Sequence, residues 1–113
     1  MASFKRIDRQ QVYSLEVYDG RETKTEPFAV GDVISRNPNS KAILKVADES
    51  AAVTAKSNGL ELYIIAQSDA VTNKSGTAYK TYRLNRELAV SDSSSALSLI
   101  AAYRVDNIDN VNF

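Results

Sequence analysis

Leu60-Glu-Leu-Tyr-Ile-Ile-Ala-Gln67 is the segment that most narrows the choice of fold. Leu60, Leu62, Ile64 and Ala66 alternate with Glu61, Tyr63, Ile65 and Gln67, the period of two of a β-strand. Both sets are largely apolar, so the strand needs cover on both sides and belongs well inside a sheet system. A second strand is expected at Ala78-Tyr-Lys-Thr-Tyr-Arg-Leu84, with mixed faces that suit an edge or a groove. The connector Ser68 to Thr77 is too long for a tight hairpin turn and is expected to project.

Around this pair the chain reads as a series of short strands. Tyr13, Leu15 and Val17 alternate with Ser14 and Glu16, a strand with one wet face, and Asp19-Gly20 marks a turn. Pro27 to Ile34 is a strand broken at Gly31, where a bend or bulge is expected. The Gly31-Asp32 step is not a phosphate loop, because no further glycines and no Lys-Ser or Lys-Thr helix start follow it. Asn37-Pro38-Asn39 is a turn, and Ile43, Leu44 and Val46 carry the next strand over Lys41 to Ala47. Asp48 to Gly59 is the helix candidate, with Asp48 or Glu49 at its positive end and Gly59 placed to stop it. Leu97 to Val105 alternates Leu97, Leu99, Ala101, Tyr103 and Val105 against Ser98, Ile100, Ala102 and Arg104, a mostly buried strand, with a helix as the competing assignment.

These elements predict an all-β or β-dominated α+β domain, a small barrel or sandwich of six to seven strands with one short helix near Ser50 to Lys56. The 113 residues suffice for one core. The domain is expected over residues 12–105, preceded by an arm over 1–11 and followed by a tail over 106–113. Phe4 and Ile7 stand among Lys5, Arg6 and Arg9 in the arm, which reads either as a plain terminus or as a segment that orders on a partner. Ile108, Val111 and Phe113 stand among acids and amides in the tail. They fit two readings equally, packing across the chain's own barrel or inserting into a neighbouring subunit.

Composition removes several functional classes. Histidine and cysteine are absent, so the commonest general base near neutral pH, the commonest zinc ligands and all thiolate chemistry are excluded. Asp106, Asn107, Asp109 and Asn110 offer hard oxygen ligands, but their spacing fits no EF-hand loop. Ser93 to Ser95 supply hydroxyls with no evident base. Neither catalysis, nor a metal, nor a cofactor is expected. Fourteen basic and fourteen acidic residues leave no net charge, which argues against a polyanion as main partner. No window reaches the roughly 18 apolar residues of a membrane-crossing helix, and residues 1–10 lack the apolar run of a signal peptide, so no membrane partner is expected.

The one cluster that suggests nucleic acid is Tyr79, Lys80, Tyr82 and Arg83, because rings stack on bases while cations meet phosphate. Strand alternation sends Tyr79 and Tyr82 to opposite faces, however, which favours ordinary core tyrosines with solvated tips. A small barrel that binds single-stranded nucleic acid is therefore the alternative reading.

The order of Phe28-Ala-Val-Gly-Asp-Val-Ile34, Leu62-Tyr-Ile-Ile-Ala-Gln67, the Asp69 to Gly76 loop, Tyr79 and Ala101-Ala-Tyr-Arg-Val105 resembles the small β-rich decoration, or cement, proteins of tailed-bacteriophage heads. The resemblance implies a non-enzymatic virion protein, made in the host cytoplasm. Such a protein binds the major capsid protein on the shell surface, often as a small homo-oligomer, and bridges neighbouring subunits. The contact candidates are Phe4 and Ile7 of the arm, Asp69, Val71 and Lys74 of the projecting loop, and Ile108, Val111 and Phe113 of the tail.

Overall fold

The computed structural model describes residues 2–6, 11–24, 26–67, 87–88 and 90–113. Five strands close a barrel: β2 (Val12–Asp19), β4 (Val33–Arg36), β5 (Ala42–Lys45), β6 (Glu61–Gln67) and β8 (Ser98–Arg104). Their order around the barrel is β2-β5-β4-β6-β8, with β8 returning to β2. Every neighbouring pair is antiparallel except β2 and β5, which meet in parallel at Tyr18↔Ala42 and Asp19↔Ile43. Closure matters because an open sheet of this size would present two unpaired edges. Two small ladders complete the strands, β1 (Ser3–Phe4) with β9 (Val111–Asn112) and β3 (Phe28–Ala29) with β7 (Glu87–Leu88).

The double-sided pattern of β6 is resolved by two separate apolar layers. Tyr63 and Ile65 point into the barrel, where they meet Leu15, Val17, Ile34, Ile43, Ile100 and Ala102. Phe28 and Leu88 of the β3–β7 ladder join the same cluster. Leu62 and Ile64 point outward and pack with Val33, Val46, Ala52, Ala55, Val105 and Val111. The outer layer is covered by helix α1 (Glu49–Ser57) and the last residues of the chain. Each fully buried Leu or Ile contributes about 1.5–3 kcal/mol relative to exposure.

Local chemistry sets the element boundaries. Asp48 caps α1, its Oδ1 accepting from the Ala51 N–H at 2.9 Å. The helix ends in a Schellman arrangement: the Leu60 N–H donates to the Ala55 carbonyl, the Gly59 N–H donates to that of Lys56, and Gly59 takes φ +78°. Gly31, at φ 95°, divides β3 from β4 as its sequence position suggests, and its N–H donates to the Ile65 carbonyl. In the 37–41 turn the Asn37 side chain accepts from the Asn39 and Ser40 N–H groups. Lys41 adopts φ 73° there.

The chain ends are built into the domain. Ser3 and Phe4 pair with Asn112 and Val111, the Phe4 ring meets Tyr103 edge-on at 6.2 Å, and Asn110 Oδ1 accepts from the Arg6 N–H at 2.8 Å. The sequence separates an arm over 1–11 and a tail over 106–113. Their described parts pair with each other and pack on the barrel, as one of the two readings of the tail has it, because Phe4, Ile108 and Val111 find the outer apolar layer there.

Candidate functional site

The outward residues of β2 are Val12, Ser14, Glu16 and Tyr18, and those of β8 are Leu99, Ala101 and Tyr103. Register sets Val12 opposite Tyr103, Ser14 opposite Ala101 and Glu16 opposite Leu99. This half of the barrel wall has no described helix across it, and its large side chains are open: Val12 is 50% exposed, Leu99 46% and Leu97 37%. Among the described residues, one half of the outer wall is covered by α1 and the chain ends, whereas on the other Val12, Leu97 and Leu99 stand exposed beside Ser14 and Glu16, and Tyr103 meets the Phe4 ring. Exposed apolar side chains grouped on one face mark a contact surface more often than scattered ones do.

That face corrects the expectation for the last long strand. Leu97 to Val105 does form a strand and not a helix, yet the alternating set that includes Leu97 and Leu99 is the outer one. The smaller set, Ile100 and Ala102, fills the barrel. A barrel interior this narrow accepts Ala where strands crowd, and pushes the bulkier set out.

Two polar clusters lie elsewhere, and both are internally satisfied. At the first, Arg36 reaches Glu61 Oε1 at 3.0 Å and donates from Nε to the Glu16 carbonyl at 3.1 Å. The Tyr63 hydroxyl donates to the same Glu61 oxygen at 3.1 Å, and Arg104 approaches Glu61 Oε2 at 3.6 Å. Burial first, then the charge and hydrogen bond of Glu61, hold the Tyr63 phenol above its ordinary pKa, against the opposing pull of Arg104 and Arg36. At the second, Arg21 grips Asp19 through two side-chain bonds of 3.0 and 2.9 Å and lies 4.3 Å over the Phe28 ring. Burial alone would raise the Asp19 pKa. The side-chain and backbone bonds from Arg21, with the charges of Arg21 and Lys24, outweigh it and leave the carboxyl below its usual value.

Beside this second cluster is an open cleft of about 550 Å³, bordered by Arg21, Lys24, Glu26, Phe28, Leu88 and Asp92. Its charges are of both signs and its best-placed cation is already committed to Asp19, so it selects no ligand class. Among the described residues no three acidic side chains converge as a metal site would need. No helix among them is long and apolar enough to cross a membrane.

The sequence-derived contact residues fall in three groups. Val111 is 3% exposed and Phe4 and Ile108 pack on the outer layer, so their side chains are spent inside the fold; Phe113 is 42% exposed. Ile7, Asp69, Val71 and Lys74 lie outside the described residues, as do the Ser68 to Thr77 loop and the Ala78 to Leu84 strand. Tyr79, Lys80, Tyr82 and Arg83, the nucleic-acid candidates, lie outside them as well. Val12, Leu97 and Leu99 are exposed candidates that lie outside the sequence-derived contact set. The signal available in the sequence was that both alternating sets of Leu97 to Val105 contain apolar residues, so one of them had to face outward or be covered.

No family model, curated protein or solved structure matches the chain.

Proposed function

We propose that this chain is a structural virion protein, a capsid decoration protein that docks on the major capsid protein of a tailed bacteriophage and stabilises the head. The observation that supports this reading is the largely apolar outer face of β2 and β8, with Val12, Leu97 and Leu99 exposed and Glu16 as its one charged side chain among the described residues. A surface of this kind suits a protein partner with an apolar patch and a cation opposite Glu16, because apolar contact supplies affinity and one buried charge pair fixes register. Two strands of 8 and 7 residues give a strip of roughly 25 by 10 Å, well under the roughly 800 Å² per partner of a standard stable interface. Attachment through such a strip gains from repetition across a lattice, where many weak contacts act together.

The test is co-sedimentation with purified capsids. The unmodified protein is expected to pellet with capsids, and Leu99→Lys is expected to stay in the supernatant while keeping its melting temperature. Failure of the unmodified protein to pellet would sink the virion reading, and equal pelleting of Leu99→Lys would remove the β2–β8 wall as its contact.

A further inference from the structure

Asn58-Gly59 is the single Asn-Gly pair in the sequence. We propose that it is a site of spontaneous deamidation, gated by the C-terminal cap of α1. In this reaction the Gly59 backbone nitrogen gives up its proton and attacks Asn58 Cγ. A new C–N bond closes a five-membered succinimide, the bond to the side-chain nitrogen breaks, and ammonia leaves. Water then adds to one of the two ring carbonyls, giving aspartate or isoaspartate at position 58. No oxidant, metal or cofactor takes part.

Two features open the site to this chemistry. Asn58 is exposed, and the residue after it carries no Cβ to obstruct the attacking nitrogen. Apart from its chain neighbours, nothing lies within 4 Å of the place a Gly59 Cβ would occupy, so the Gly59 side of the pair is open.

Two others hold it shut while the cap is formed. Asn58 has ψ 8°, which turns the Gly59 nitrogen toward the Asn58 nitrogen and away from the side chain. That same Gly59 N–H donates to the Lys56 carbonyl at 3.0 Å, and the next one, of Leu60, donates to Ala55 at 3.1 Å. Ring closure therefore requires both cap bonds to break and ψ to rotate, a local opening at a helix end. The Asp19-Gly20 pair offers a contrast. Its carboxylate is buried and gripped by Arg21, and the Gly20 N–H donates to the Ile43 carbonyl, so both reacting groups are held inside the barrel wall.

The product cannot restore the cap it came from. Either acid puts a negative charge at the negative end of the helix. Isoaspartate also lengthens the backbone by one carbon between Ser57 and Gly59, which shifts the Leu60 N–H away from Ala55. Ala52 and Ala55, the helix residues that cover Leu62 and Ile64, then lose their fixed end. The reaction is one-way and marks elapsed time on the helix that covers the outer core.

The experiment incubates the full chain at mildly alkaline pH with and without urea, and reads aspartate and isoaspartate at position 58 by peptide mapping. Unfolded chain is expected to convert at least about tenfold faster than folded chain, since the gate is a folded-state feature. Lys56→Gly, which weakens the last turn while leaving the Asn-Gly pair intact, is expected to speed conversion of the folded chain about fivefold. No product at 58 in urea would overturn the site. Equal rates in urea and buffer, or a Lys56→Gly rate equal to the unmodified one, would overturn the gate.

Discussion

Phe4 and Val111 are partners in an antiparallel ladder made from the two ends of the chain. The ladder is secured next door by Asn110, buried at 7% exposure, whose side-chain oxygen takes the Arg6 backbone N–H. Asn110→Ala removes the side-chain oxygen that accepts from the Arg6 N–H, and the loss of that one hydrogen bond is expected to cost about 0.5–1.5 kcal/mol. Val111→Ala removes buried methyl groups from the outer layer and is expected to cost about 1.5–3 kcal/mol. Chemical denaturation of the two variants measures both. Stability equal to the unmodified protein in either would mean that the ends are not part of the cooperative unit.

Glu61 accepts hydrogen bonds from Arg36 and Tyr63 and forms an ion pair with Arg104 at 3.6 Å. Removing it strands the Arg36 guanidinium, which is only 11% exposed. Glu61→Ala is expected to lose about 3 kcal/mol, the penalty for a buried cation without its partner. Tyr63→Phe removes only a hydroxyl and should lose about 1 kcal/mol near neutral pH.

The same tyrosine predicts behaviour in alkali. Its folded pKa lies above the ordinary 10.0, so the folded chain holds the proton more tightly than the unfolded chain. The associated stabilisation is complete below 10.0 and is lost as pH rises through the folded value. Stability measured against pH should therefore fall above 10.0 in the unmodified protein, and the fall should be smaller in Tyr63→Phe.

Asp19 works in the opposite direction at low pH. Its folded pKa is below 3.8, so its contribution is present above 3.8 and disappears as pH falls through the folded value. Asp19→Asn should flatten this part of the acid limb of the stability curve. An acid limb as steep as the unmodified one would assign the loss to other carboxylates.

How far the sequence foretells this molecule depends on the kind of residue. The caps of α1 are legible because Asp48 and Gly59 act through their own backbone and side chain, within one turn of the helix. The strand character of β2, β6 and β8 is legible from alternation. What alternation cannot give is direction: Leu97 and Leu99 look as suited to a core as Ile100 and Ala102, and only barrel closure decides between them. The Glu61 network is hidden for a similar reason. Arg36, Glu61 and Arg104 come from three strands, and nothing local links them before the sheet forms. The β1–β9 ladder spans two residues on each side, too short for any period to register.

Barrel closure itself rests on a tight spot, and this gives a prediction with an internal control. A Cβ added at Gly20 would sit 2.8 Å from the Ala42 Cβ, at the short parallel seam between β2 and β5. Gly20 has no positive φ that would penalise alanine by itself, so the cost of Gly20→Ala is the collision alone. It should amount to about 1–3 kcal/mol, because both backbones are tied across the seam by the Gly20 N–H to the Ile43 carbonyl at 3.0 Å and the Tyr18 N–H to that of Lys41 at 3.1 Å. Ala42→Gly removes the other half of the collision, so the double variant should be more stable than the sum of the two single losses. A double-mutant cycle by denaturant melts reads the coupling directly, and contacting residues of this kind couple by about 0.5–3 kcal/mol. Strict additivity would mean that the seam relaxes around the added methyl, and that the parallel pairing of β2 with β5 does not hold the barrel closed.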